Sequence, residues 1–199
     1  MALKRRFSAL LIAAVASTAV AVTGGAAQAA PSSAAGEALA PKLLKFGQSV
    51  VIKGERGGRL RVTPTGVYYH RTRADDSPKP VTKYFTAVAF TVQVLDKADR
   101  LSPPVAGGQW AVRAGGRVFD TSSGNAVQVP WIGRVPEGVQ RTDKGDKDVV
   151  IESFDLPGMG GVLQWKDRSG GSFRWQMPRK TSGKNLEPVH EALKAYYGE

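Results

Sequence analysis

Catalytic and metal chemistry has few starting points in this chain. It contains no cysteine and only two histidines, His70 and His190. Thiolate nucleophiles, disulfides and Cys-ligated metals are therefore excluded. His190 is followed by Glu191, but Leu193 and Lys194 stand where an H-E-x-x-H helix needs its second ligand. There is no G-x-S-x-G elbow and no glycine-rich phosphate loop. A Ser/His/Asp triad would have to use His70, within Tyr68-Tyr69-His70-Arg71, and a half-exposed strand histidine is the simpler reading.

Three carboxylates, Asp143, Asp146 and Asp148, share a loop with Gly145 and are a candidate oxygen-ligand set for a hard cation such as calcium. Their spacing matches no EF-hand, and Lys144 and Lys147 interleave with them and compensate the same charge, so a solvated turn is the simpler reading. No carboxylate pair for glycoside hydrolysis stands out. No cofactor is expected.

Basic residues form a denser pattern. Lys53, Arg56, Arg59, Arg61, Arg71, Arg73, Lys79 and Lys83 lie among only three acids, Glu55, Asp75 and Asp76. Arginine forks grip phosphate or carboxylate in two-point fashion, and tyrosine rings stack on flat ligands. Arg59, Arg61, Tyr69, Arg71 and Arg73 are therefore the candidate binding residues, with a solvated charged face as the simpler alternative. Of the four tryptophans, Trp131 lies between Pro130 and Ile132 in a loop, which makes it the candidate exposed aromatic contact.

Short alternating runs punctuated by Gly and Pro must position these groups, a pattern that predicts an all-β sandwich or barrel over 46–178. Strands are expected at Phe46–Lys53, Arg59–Thr63, Gly66–Thr72 and Thr82–Leu95. In the last of these, Tyr84, Val88, Phe90, Val92 and Val94 share one face. Leu60 and Val62 alternate with Arg59 and Arg61, so one pair points inward and the other outward. Gln109–Ala114 and Arg117–Asp120 flank Gly115-Gly116 as a hairpin. Val149–Leu156 has an ambiguous inward face that a bulge would reconcile. Val162–Lys166 and Ser172–Met177 form a closing hairpin. Within the polar tail, 179–199, Asn185 is a candidate cap for a short helix carrying Val189, Leu193 and Tyr196, which must dock on the sandwich or on a partner.

The first 29 residues have the layout of a cleaved secretory signal peptide. Lys4, Arg5 and Arg6 precede an apolar stretch, Phe7–Val22, and Ala27-Gln28-Ala29 is a small-x-small site. Lys4-Arg5-Arg6-Phe7 also admits a twin-arginine reading. No transmembrane segment is expected after the leader, and 30–45 reads as a flexible spacer rich in Ala, Ser and Pro. The formal charge of +11 less the three leader cations leaves +8 on 170 residues, one domain's worth of chain. Outside a cell, such a charge attracts phosphate-rich wall polymers and other polyanions over a Debye length of ~8 Å.

From Leu44-Lys45-Phe46-Gly47-Gln48-Ser49-Val50, through Val88-Ala89-Phe90-Thr91-Val92-Gln93-Val94, to Glu152-Ser153-Phe154-Asp155-Leu156-Pro157, the chain resembles the telokin-like, immunoglobulin-fold secreted domains of actinobacteria. The resemblance implies an immunoglobulin-like β-sandwich and no catalytic residues. The resulting expectation is a secreted, non-catalytic binding or interaction module whose partner is an anionic wall polymer or another envelope protein. No nucleic-acid motif is present. A hydrolase with an unrecognised carboxylate site is the alternative, as is an inhibitor presenting the Pro130–Pro136 loop.

Overall fold

The computed structural model describes residues 42–72, 77–101, 109–137, 143–166 and 172–198. The expected leader, and the expected spacer as far as residue 41, lie outside them. Leu43–Lys45 is not spacer: it forms β1, paired in parallel with β9 (Ser172–Gln176). Backbone pairing there is reinforced by Leu44, which packs on the core.

Architecture follows from β4 (Tyr84–Val94), whose two faces are both apolar. Val88, Phe90, Val92 and Val94 enter one buried cluster, while Phe85, Ala87 and Ala89 enter another. A strand buried on both sides must lie between two layers. On one side is the first sheet, ordered β1, β9, β8 (Val162–Lys166), β5 (Trp110–Ala114), β6 (Arg117–Asp120). The second sheet is ordered β10 (Ser182–Gly183), β3 (Arg59–His70), β4, β7 (Lys147–Leu156), with β2 (Val50–Lys53) also on β3. Between the sheets, Phe90 meets Trp110 at a centroid distance of 4.2 Å, and Trp110 meets Trp165 at 4.6 Å and Trp175 at 6.0 Å. Val88, Phe90, Val92, Phe154, Trp165 and Trp175 are all buried, as their alternation requires.

The far side of the second sheet is covered by the one α-helix among the described residues, α1 (Glu187–Tyr197), and by the segment from Val129 to Val135. At 11 residues the helix cannot hold alone in water, and it docks through Val189, Ala192 and Leu193. It ends on Gly198, whose left-handed backbone turns its N–H onto the Lys194 carbonyl. Asn185 does not cap it. That residue has φ 63°, and its side-chain amide donates to Thr65 Oγ1 at 3.0 Å and Thr91 Oγ1 at 3.3 Å.

Two expected strands prove to be one. Pro64-Thr65-Gly66 is not a turn but a bulge within the 12-residue β3, since pairing to β4 runs through Pro64↔Phe90 and resumes at Gly66↔Ala89. Thr65 is the extra residue, and it reverses which side chains face inward: Leu60 and Val62 before it, Val67 and Tyr69 after it. At the bulge β10 crosses closely, with Lys184 N–H on the Thr65 carbonyl at 2.8 Å. A Cβ on Gly66 would lie 2.2 Å from the Lys184 oxygen, and one on Gly183 would lie 2.2 Å from the Thr65 oxygen. Only glycine fits at either position.

By contrast, β7 needs no bulge. Its pairing to β4 is continuous from Tyr84↔Leu156 to Gln93↔Lys147. Both of its faces are covered over part of its length: Val150, Phe154 and Leu156 pack on one side, and Ile151 on the other, where Ser153 and Asp155 are held by hydrogen bonds.

Buried carboxylates tie the loops to this frame. Asp155 accepts the N–H groups of Val81 (2.6 Å), Thr82 (3.0 Å) and Asn125 (2.9 Å) and the Thr82 hydroxyl (2.6 Å). Asp99 accepts from the backbone of Arg56, Gly58 and Arg100. Burial pushes the Asp99 pKa upward, but those three N–H groups outweigh it and hold the carboxyl below its ordinary value. Glu152 is different. It sits opposite Val88, and burial, with the charge of Glu137 adding to it, pushes its pKa up to about 8.

Two outcomes are expected. Phe90→Ala removes the ring that joins the two sheets and should cost about 3 to 5 kcal/mol in chemical denaturation. Glu152 makes stability depend on pH. Above its ordinary value of 4.5 the unfolded chain ionises while the folded carboxyl stays protonated, so stability falls as pH rises to about 8 and then levels off. Glu152→Gln should abolish that slope and exceed the parent at pH 8 by on the order of a few kcal/mol. Parallel pH profiles of the thermal midpoint would contradict the assignment.

Candidate functional site

The helix and the Val129–Val135 segment cover the second sheet only around Phe85, Ala87, Ala89 and Ile151. Toward β2 the same face is open. Because cross-strand partners share a face, the register places Val51, Arg61, Gln93 and Lys147 in one row across four strands, with Lys53 opposite Arg59 in an adjacent row. Val51 is 46% exposed, and Lys53, Arg59, Arg61 and Lys147 are all exposed. Adjacent strands are ~4.8 Å apart and alternate residues about 7 Å apart, so these four cations lie within one flat surface of roughly 15 Å.

The charge there is partly balanced. Arg59 Nε donates to Asp96 Oδ2 at 3.0 Å, and Asp96 Oδ1 accepts the N–H groups of Arg59 at 2.9 Å and Lys97 at 2.7 Å. These backbone donors, chiefly that of Arg59, and the guanidinium beside them hold the Asp96 carboxyl down to about 2. Asp96 therefore stays ionised and offsets Arg59. Arg61 lies along the sheet, with Nη1 donating to Gln93 Oε1 at 3.0 Å, which leaves its charge uncompensated by that contact. The Asp143–Asp146 turn borders the face beyond Gln93, adding two acids and Lys144.

The other expected contacts fall elsewhere. Arg71 is exposed but follows the end of β3, ten residues from Arg61 and so roughly 33 Å away along a continuous strand. The bulge at Thr65 leaves β3 running on in the same direction, so it does not bring Arg71 back to that face. Tyr69 is buried, because the bulge turns it to the inward face. Its hydroxyl donates to the Pro178 carbonyl at 2.7 Å and accepts the Gly160 N–H at 2.8 Å, and burial pushes its pKa up to about 12. Arg73 lies outside the described residues.

Trp131 is fully buried, with its indole N–H on Ser153 Oγ at 2.8 Å and its ring edge-on to Phe85 and Tyr68. It is core and not a sugar platform. Trp131 and Val135 also pin the Pro130–Pro136 loop against the sheet, leaving Ile132 to Arg134 exposed between them. Asp143, Asp146 and Asp148 do not converge. Asp146 instead accepts the Asp143 N–H at 3.2 Å, and no group of three His, Asp or Glu side chains among the described residues has a metal-ligand arrangement. Both histidines flank Tyr68 at the seam between helix and sheet, where His70 Nε2 lies 3.0 Å from the Tyr197 hydroxyl and His190 packs 5.0 Å from the Tyr68 ring. The four donors on Asp155 occupy its acceptor sites, so this buried carboxylate is structural. Lys53 and Lys147 were the residues to add. Only strand register brings Lys147 beside Arg61, and nothing in local spacing signals it.

No helix among the described residues is long and apolar enough to cross a membrane. No protein-family model and no curated protein matches the chain. The telokin-like membership therefore has no match, while the two-sheet sandwich with a C-terminal helix that was expected is what the strands form. Among solved structures the chain is similar to MPT63, a secreted protein from Mycobacterium tuberculosis, at 16% identity and a TM-score of 0.45. That likeness covers 69% of this chain and 98% of that one, and at this level it transfers no role.

Proposed function

We propose that this chain is a secreted, non-catalytic binding module that engages a phosphate-rich anionic polymer through the open face of its second sheet. One observation carries the reading: Lys53, Arg59, Arg61 and Lys147 project from three strands onto one open surface, with Asp96 paired to Arg59 and with Asp143 and Asp146 only at its border, beside Lys144. A flat cationic surface suits a repeating anion better than a small molecule, because each contact adds charge neutralisation along the chain. The leader pattern at 4–29 supports export, and the net +8 that remains after it supports attraction to envelope polyanions.

Retention on immobilised polyphosphate tests the reading. With four cations engaged, apparent affinity should fall roughly a hundredfold between about 50 and 200 mM salt. Arg61 and Lys147 are the informative sites, since reversing Arg59 would also set it against Asp96. The double variant Arg61→Glu, Lys147→Glu should elute well before the parent, while Arg71→Glu, at the far end of β3, should not shift. Exposed charges contribute little to stability, so the thermal midpoint should stay within a few degrees. Equal elution of the parent and the double variant would sink the proposal.

A further inference from the structure

A second basic feature lies on the other sheet. Arg113, Val162 and Gln176 are cross-strand partners on the outward face of β5, β8 and β9, because Val112, Leu163 and Trp175 beside them point into the core. Where this row meets the Pro157–Gly161 loop and Arg179 there is a cleft of about 430 Å³. That volume falls within the range of small-molecule sites.

The cleft is built rather than incidental. Its loop wall and its Arg179 wall are joined through a buried phenol: Tyr69 accepts the Gly160 N–H and donates to the Pro178 carbonyl, next to Arg179. With its pKa near 12, that phenol remains a donor at any ordinary pH. The loop approaches so closely that a Cβ on Gly160 would lie 2.9 Å from Arg179 Cγ, and one on Gly161 would lie 2.8 Å from the Arg113 carbonyl oxygen. Gln176 braces the floor by donating its amide to the Gly161 carbonyl at 3.0 Å.

Its chemistry is one-sided. Two arginines line the cleft, no carboxylate does so among the described residues, and neither Arg113 nor Arg179 makes a hydrogen bond or ion pair there. Arginines near an ion pair elsewhere in this chain use it, as Arg59 does with Asp96 and Arg100 with Glu55. Beside the guanidiniums, Met159 is 46% exposed and Pro157 adds a second apolar surface. Two unspent planar forks next to an apolar wall match an oxyanion head on a small apolar body.

We propose that the cleft between Arg113 and Arg179 binds a small organic anion, its carboxylate or phosphate head held by the two guanidiniums and its apolar body against Met159 and Pro157. This site is independent of the polymer-binding face, which lies on the opposite sheet and uses none of these residues.

Titration calorimetry with hexanoate, phenyl phosphate, acetate and inorganic phosphate tests it on the full mature chain. At least one of the two ligands with an apolar body should bind, and more tightly than the bare anion with the same head. Arg113→Ala and Arg179→Ala should each weaken that binding roughly tenfold or more, while Arg61→Ala on the other face leaves it unchanged. Both cleft arginines are surface residues, and an unchanged thermal midpoint confirms that each variant is folded. The site is overturned if no ligand binds at about 10 mM, if both alanine variants bind like the parent, or if the bare anions bind as tightly as the larger ones.

Discussion

Everything in this fold answers to the fact that β4 carries buried apolar residues on both faces. One face requires the first sheet, supplied through Phe90 and the tryptophans around Trp110. The other requires a cover, and the C-terminal helix and the Trp131 segment supply it around Phe85, Ala87, Ala89 and Ile151. The rest of that face need not be covered, because the side chains there change from Phe85, Ala87 and Ala89 to Thr91 and Gln93 along the same strand. The open face is thus a consequence of where the apolar run on β4 stops.

How much of this was legible depends on whether the information was local. The inward row of β4 follows from alternation alone, and so does the β5–β6 hairpin around two glycines of positive φ. The facing of β7 was illegible because alternation carries a signal only when one face is wet. Tyr69 was misplaced for a subtler reason. In an unbroken strand it would share a face with Arg59 and Arg61; a single inserted residue, Thr65, sends it inward. The proximity of Lys147 to Arg61 and of Arg113 to Arg179 is a matter of register and loop closure, which spacing along the chain does not encode.

Loops in this protein are held by single buried acceptors more than by extended pairing. Asp155 gathers donors from the segment before β4 and from the turn after β6, and Asp99 gathers the turn between β2 and β3. Each carboxylate is offset by several N–H groups, which is the condition under which a buried charge is tolerated. Tyr69 does the same work with a neutral hydroxyl, joining the loop after β7 to the segment after β9. The bulge that removed it from the open face of the second sheet is what makes it available as a brace for the cleft.

The crossing of β10 over β3 has a consequence for descent. Gly66 and Gly183 each leave room for the other strand's carbonyl-bearing backbone, and even a methyl group at either position would collide. Apolar core positions exchange among Val, Ile and Leu at little cost, so they lose their identity as lineages diverge. Two glycines locked in mutual contact have no such freedom. That distant pair is the mark by which remote kin should be recognisable after most of the surrounding residues have been replaced.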